Sequence, residues 1–282
     1  MTESSAARKT DPAEGFSEES MPDGVNIIDV TKKFVTRERT VQALKPVNLH
    51  IRDKEFVSIL GTSGCGKSTL LRRLGGFDRP STGHIYFHGE EITRPNADIG
   101  MVFQSYTLFP WLTVEENIAF GLRQMKKHPP AEIREIVSRY VDLVGLRGFE
   151  KQYPKSLSGG MKQRVAIARA LATDPGMLLL DEPFGALDMQ TRGVMQELLL
   201  NVWQSSPKTI VMVTHDIDEA IFLADRVVVM SARPGSIKEI VDIDLERPRD
   251  YHVRNTEKFV NYRAHCSDII RSESMKLIQE VG

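Results

Sequence analysis

The stretch Phe56-Val57-Ser58-Ile59-Leu60-Gly61-Thr62-Ser63-Gly64-Cys65-Gly66-Lys67-Ser68-Thr69-Leu70-Leu71 decides the fold. Its first five residues are a short apolar run ending at a glycine, which reads as a buried strand. Thr69-Leu70-Leu71 opens a helical pattern. Between them, Gly61 to Ser68 fits G-x-x-x-x-G-K-[ST], a phosphate-binding loop, in the strand–loop–helix setting that gives the pattern its meaning. The glycines remove Cβ atoms that would hold the backbone away from phosphates. Successive N–H groups then point inward and the following helix presents its positive end. Lys67 can reach β- and γ-phosphates, and Ser68 can place its hydroxyl on Mg2+. A glycine-rich turn before a helix is common as plain structure; the full spacing followed by Lys-Ser is not.

Other short aliphatic runs, Met177 to Leu180, Thr209 to Thr214 and Arg226 to Met230, read as strands separated by helical stretches. That pattern suggests a parallel sheet covered on both faces. Val25 to Val35 and Val41 to Ile51 mix β-branched and polar residues, as half-buried strands do. Thr113 to Leu122, Ala131 to Leu146 and Ser158 to Ala172 have helical spacing with no strand between them. They predict a helical subdomain, residues 105–172, inserted in the core region 25–245. Two helices, Asn255 to Ile270 and Glu273 to Val281, are expected in a C-terminal extension, residues 246–282, whose seven bases and six acids show no electrostatic bias.

The first 24 residues differ from the rest. Six acids (Glu3, Asp11, Glu14, Glu18, Glu19, Asp23) face two bases (Arg8, Lys9), and Phe16 is the only aromatic. Such a segment buries too little apolar area to offset its ordering entropy, so a disordered tail is expected. It has no apolar core of a secretory signal. The 282-residue chain carries 37 basic and 38 acidic residues, a net charge of −1, which argues against a dedicated nucleic-acid binder. No run approaches the roughly 18 consecutive apolar residues of a membrane span. Two distant cysteines, Cys65 and Cys266, make no disulfide scaffold and point to a reducing compartment.

Leu178-Leu179-Leu180-Asp181-Glu182 is an apolar strand ending in two acids. In open parallel sheets, ligands sit at the carboxyl ends of strands. Asp181 suits Mg2+ through a bound water, and Glu182 can orient or deprotonate an attacking water. Alone, the pair would read as two solvated acids in a turn. His215 ends the run Val211-Met212-Val213-Thr214, where it can serve structure or donate to a γ-phosphate oxygen. Gln104, after Met101-Val102-Phe103, can offer its amide oxygen to Mg2+ or the water, or be a polar strand-end residue. Cys65 has two readings as well. A thiol near a helix N-terminus can have a lowered pKa and be reactive towards thiol reagents, or it can be an inert small residue.

Leu157-Ser158-Gly159-Gly160-Met161-Lys162-Gln163-Arg164 resembles the signature of ATP-binding-cassette ATPases. The order is the family's throughout: phosphate loop at Gly61, Gln104, signature at Leu157, Asp181-Glu182, Leu187-Asp188, then His215. The resemblance covers about Val25 to Leu245. It implies an α/β fold, a P-loop NTPase core with a parallel sheet and helices on both faces, plus an antiparallel β subdomain and the inserted α-helical subdomain. It also implies ATP and Mg2+ as cofactors, held by Gly61, Thr62, Ser63, Gly64, Cys65, Gly66, Lys67, Ser68 and Thr69, with Ser68, Gln104 and Asp181 at the metal. A second copy of the chain is implied as a head-to-tail partner, each signature closing on the other copy's phosphate loop. Ser158, Gly159 and Gly160 suit that role, because hydroxyl, backbone N–H groups and helix dipole can all face an anion. The resemblance makes Asp188 the link between the two sites and Phe34 the ring that stacks on adenine; Phe34 can also serve the core. Met161 departs from the family's usual Gln, which removes one polar side chain.

Leu108 to Leu122, with Phe109-Pro110-Trp111, resembles the region of bacterial importer ATPases that receives a short permease helix. Core packing is the other reading of Phe109 and Trp111. Together with Asp181 to Asp188 and Ser231-Ala232-Arg233-Pro234-Gly235, it looks like the nitrate, sulfonate and taurine subfamily. The expected partners are thus integral membrane permease subunits and, indirectly, a solute-binding protein, with no nucleic acid. The expected place is the cytoplasmic face of the inner membrane, peripherally. Cassettes of DNA repair carry a long coiled-coil insertion and those of translation carry two cassettes per chain; neither feature is present. A non-hydrolysing module would lack Lys67, Glu182 or His215, and all three are here.

Overall fold

A computed structural model describes residues 21–281 apart from 37 and 106. The tail expected over 1–24 lies outside the described residues up to residue 20. Gly24 is already paired, as the first residue of β1 (Gly24–Val35).

The phosphate-loop strand, β3 (Phe56–Leu60), sits in the middle of a six-stranded sheet. Its neighbours are β8 (Thr209–Thr214) on one side and β9 (Arg226–Met230) on the other, both parallel to it. Beyond β8 come β7 (Met177–Asp181) and β6 (Ile99–Val102), also parallel. β10 (Ile237–Asp242) closes the other edge antiparallel to β9. The central strands β3, β7 and β8 are buried along their whole length, which is why they read as continuous aliphatic runs.

Alternation splits these strands between two cores. Val57, Ile59, Leu179, Val211, Val213 and Val228 face Leu70, Leu71 and Leu74 of α1 (Lys67–Leu74) and the antiparallel sheet. That sheet has the order β2-β1-β4-β5, with β2 (Thr40–Arg52), β4 (Thr82–Phe87) and β5 (Glu90–Glu91). Phe56, Leu60, Leu178, Leu180, Ile210 and Met212 face the opposite layer of helices. Each such aliphatic side chain contributes about 1.5–3 kcal/mol of burial. The opposite layer contains α2 (Val114–Met125), α3 (Pro130–Leu143), α4 (Gly159–Ala172), α5 (Met189–Ser205), α6 (Ile217–Leu223) and part of α7 (Glu257–Val281). Thr113 caps α2 in a reciprocal box with Glu116, matching the helix start expected there.

The structure differs from the sequence reading in its C-terminal helices and in small strands of both sheets. The two expected C-terminal helices are one, α7. Ser272 and Ser274 lie within it and donate their hydroxyls to Ile269 O and Ile270 O. β4 was not legible because Gly83 and His84 interrupt its apolar pattern, and β10 because it is a charged edge strand.

Candidate functional site

Register brings the site together. Leu60 pairs with Thr214, Asp181 with Val213, and Val102 with Leu180. The segments leaving these strands therefore emerge along one carboxyl edge: the phosphate loop, His215, Glu182 and Gln104.

The loop runs from Gly61 to Gly66, and Lys67 begins α1. Gly64 and Gly66 adopt φ of 73° and 107°, a region L side chains rarely enter. A Cβ on Gly66 would also lie 2.7 Å from Leu44 Cδ2. The buried Lys67 ammonium donates to Gly61 O at 2.9 Å and Thr62 O at 3.0 Å, folding its charge back over the loop. Ser68 Oγ donates to Asp181 Oδ1 at 2.9 Å. Burial pushes the Asp181 carboxyl up, Ser68 opposes that, and neighbouring Glu182 adds to it.

Glu182 is the best-defined group of the site. Its φ of 48° is left-handed, unusual for a residue with a Cβ and costing about 1–3 kcal/mol. Its N–H donates to Val213 O at 2.9 Å, which holds that backbone against β8. Gln104 Nε2 donates to Glu182 Oε2 at 3.0 Å, and His215 Nδ1 lies 3.2 Å from Oε1. Gln104, Glu182 and His215, drawn from three strand ends, thus form one cluster.

The remaining candidates lie elsewhere. Ser158 caps α4, its Oγ accepting from Met161 N at 3.3 Å. Asp188 caps α5 by accepting from Gln190 N and Thr191 N, and these bonds hold its carboxyl below the usual range. A Cβ on Gly160 would lie 2.9 Å from Leu187 Cδ2, so signature and acid-pair loop are in contact. Among the described residues, no hydrogen bond joins Ser158, Gly159 or Gly160 to the phosphate loop of the same chain. Phe34, on β1, is 43% exposed, so it is not a core residue. Lys32 Nζ and Arg73 Cζ stand 5.3 and 5.7 Å from its ring centre. Its cross-strand neighbour Val41 is two residues from Ala43, whose carbonyl a Cβ on Gly66 would approach at 3.1 Å.

The thiol of Cys65 is fully buried, and burial pushes its pKa up despite the helix N-terminus and Lys67. The reactive reading is therefore corrected: Cys65 is a small packing residue against Gly61. Phe109 and Trp111 also resolve. Phe109 packs on Phe120 at 4.3 Å between ring centres, whereas Trp111 is 70% exposed. The buried Asn117 side chain ties Phe109 N and the carbonyls of Phe109, Leu112 and Thr113, fixing the turn that presents Trp111.

One titratable group was not legible from the motifs. Glu219 of α6 is buried, accepting from Thr214 Oγ1 and, at 3.1 Å, from Gln196 Nε2. Burial pushes it from a usual 4.5 up to about 7. Below about pH 4.5 both folded and unfolded chains hold this proton, and between about 4.5 and 7 only the folded chain does. Stability from this group is thus lost as pH rises through that window. Relative to wild type, Glu219→Gln is expected to gain roughly 2–3 kcal/mol across the same window in urea unfolding.

Among the described residues no three His, Cys, Asp or Glu side chains are grouped to hold a metal by themselves. Also among them, no helix is long and apolar enough to cross a membrane.

Comparison with known proteins follows the same lines. A family model described as ABC transporter matches residues 44–185. The aliphatic sulfonates import ATP-binding protein SsuB of Bacillus cereus is 50% identical over 239 residues, 85% of this chain and 92% of its own length. The nitrate import ATP-binding protein NrtD of Synechocystis sp. is 48% identical over 264 residues, 92% of this chain and 99% of its own. The dimeric post-hydrolysis structure of the ATP-binding cassette MJ0796, bound to ADP and Pi, superposes with a TM-score of 0.72. It is 35% identical and covers 79% of this chain and all of that one. With phosphate loop, acid pair and signature in the family's order on the family's fold, this chain belongs to the ABC transporter family and is an ABC-type ATPase.

Proposed function

We propose that the chain is the ATP-hydrolysing subunit of an importer for a small anion, working as a head-to-tail pair beneath a separate permease. The observation that carries this reading is the Gln104–Glu182–His215 cluster beside Lys67, Ser68 and Asp181. Glu182 is the group that orients the attacking water and takes its proton. Gln104 and His215 hold its two carboxylate oxygens, and His215 also donates to the γ-phosphate. Lys67 and backbone N–H groups of the loop Gly61 to Thr69 bind the phosphates. Ser68, Asp181 and Gln104 offer hydroxyl, carboxylate and amide oxygens, a hard donor set that suits Mg2+ held jointly with a nucleotide. When bound, Mg2+ neutralises phosphate charge. Phe34 gives adenine an exposed ring.

The pairing is supported by the N-terminus of α4, capped by Ser158 and with no acidic residue in its first turn. Ser158, Gly159 and Gly160 would complete the partner's nucleotide site, with Asp188 linking the two. The region 25–245 acts as the cassette, its helical insert as the permease contact and 246–282 as an appended helix. Exposed Trp111, on a turn locked by Asn117, is the contact for a permease helix. On this reading the chain sits peripherally at the cytoplasmic face of the inner membrane, with a solute-binding protein acting from the other side.

The solute class follows the sulfonate and nitrate importer relatives. The test is uptake of nitrate, taurine and short alkanesulfonates in a strain deleted for the chain and complemented with wild type or Trp111→Glu. Wild type is expected to restore uptake of one of these anions. Trp111→Glu is expected to lower it at least about ten-fold, as loss of an exposed aromatic anchor does, while the purified chain keeps its ATPase activity. Full uptake with Trp111→Glu would contradict the docking site, and no uptake of any of them with wild type would contradict the solute class.

A further inference from the structure

The C-terminal helix reaches the phosphate loop through a chain of contacts that the mechanism above does not use. Glu273 of α7 is 2% exposed. Its Oε2 accepts from the backbone N–H of Ala232 at 2.9 Å, and its Oε1 accepts from Lys276 Nζ at 2.6 Å, with Lys238 Nζ at 3.9 Å. Ala232 lies in the turn after β9, which is closed on itself by Ser231 N to Ser236 O at 2.8 Å.

Two residues of that turn touch the loop. Arg233 Nε donates to Gly64 O at 3.0 Å. Its guanidinium lies directly over the loop crest: a Cβ on Gly64 would stand 2.0 Å from Nη2. Gly235 packs so closely on the next peptide that a Cβ there would lie 1.9 Å from Cys65 O. Gly235 is itself pinned to β2, its N–H donating to Ala43 O at 3.0 Å and its carbonyl accepting from Lys45 N at 2.9 Å. In a planar trans peptide C=O and N–H point oppositely. Holding Gly64 O towards Arg233 therefore turns the Cys65 N–H of the same peptide to the other side, where it donates to Thr62 O at 3.3 Å and closes the turn of the loop. The shape of that turn directs the loop's remaining N–H groups, on which phosphate affinity depends.

A buried carboxylate is costly unless bonded, and this one is spent on a backbone N–H of the turn that clamps the loop. We propose that Glu273 and Arg233 are positioning residues for the phosphate loop, so that docking of α7 sets the affinity for ATP. The inference rests on Gly61 to Thr69 being the nucleotide site. Arg233 adds its charge from outside the cradle and touches no reacting atom. The C-terminal extension, which showed no motif, is then a means of adjusting nucleotide affinity, and anything that lifts α7 from the turn weakens ATP binding.

The test compares wild type, Glu273→Ala, Glu273→Gln, Arg233→Ala and the double variant Glu273→Ala/Arg233→Ala as purified full-length chains. Readouts are steady-state ATP hydrolysis and the affinity for a fluorescent ATP analogue. Glu273→Ala and Arg233→Ala are each expected to raise KM and Kd about five- to ten-fold, the net scale of one hydrogen bond, with kcat within about two-fold. Glu273→Gln keeps an oxygen for the Ala232 N–H and is expected to behave like wild type. Because both residues act through one turn, the double variant is expected to be no weaker than the weaker single variant.

Unchanged KM and Kd in Arg233→Ala, whose exposed side chain leaves folding intact, would overturn the proposal. So would Glu273→Gln as damaging as Glu273→Ala, or fully additive effects. Lys67→Ala separates the two readings. Wild-type nucleotide affinity in Lys67→Ala means that the phosphate-loop assignment fails. Loss of nucleotide in Lys67→Ala with no change in Arg233→Ala means that the brace alone fails.

Discussion

Glu182→Gln is expected to lower ATP turnover by about 10²- to 10⁴-fold, the usual worth of a general base, while ATP still binds. The substitution keeps the shape of the side chain and one oxygen. It leaves the backbone at φ 48° no worse off, since both residues carry a Cβ. What it removes is the basicity of a carboxylate whose Oε2 meets Gln104 Nε2 and whose Oε1 faces His215 Nδ1. Binding depends on other groups, the loop N–H donors and Lys67, so affinity should change little. Phosphate release under saturating ATP, beside equilibrium binding of the nucleotide, measures the two effects separately. Turnover equal to wild type would remove Glu182 from the mechanism.

Lys67→Ala is expected to weaken nucleotide binding about 100-fold, close to 3 kcal/mol. Lys67 is 6% exposed and donates to Gly61 O and Thr62 O, so its ammonium has no conformational search to make before it meets a phosphate. Its loss deletes the one cationic side chain within the loop sequence and leaves two carbonyls without their donor. Arginine is not expected to rescue the variant, because its planar fork does not fit the space of a point charge bent back over the loop. Titration of the nucleotide into the purified variant checks this.

Much of this site was legible because it is built from local sequence. Strand, glycines and Lys-Ser are contiguous in Phe56 to Ser68, and strand-end acids and histidine announce themselves by following aliphatic runs. The parallel register then brings Gln104, Glu182 and His215 together, although they are up to 111 positions apart. Other features were not legible, for physical reasons. Whether Cys65 is reactive depends on burial, which outweighs the helix end and the lysine beside it. Arg233 and Glu273 act through contacts 169 and 41 residues away along the chain, which no periodicity marks. Ser272 and Ser274 lie inside one continuous helix and bond back to Ile269 O and Ile270 O, so the expected division between two helices is absent. Trp111 could be assigned to the surface only once Asn117 was seen to fix its turn.

The central claim is that two copies of this chain enclose the nucleotide, the phosphate loop of one facing Ser158, Gly159 and Gly160 of the other. Sedimentation equilibrium of Glu182→Gln, with and without MgATP, tests it most directly, because that variant binds without turning over. The expected result is 31.8 kDa without nucleotide and twice that mass with it. Ser158→Arg in the same background should remain at the monomer mass. A Glu182→Gln chain that binds ATP yet stays monomeric at all protein concentrations would contradict the account.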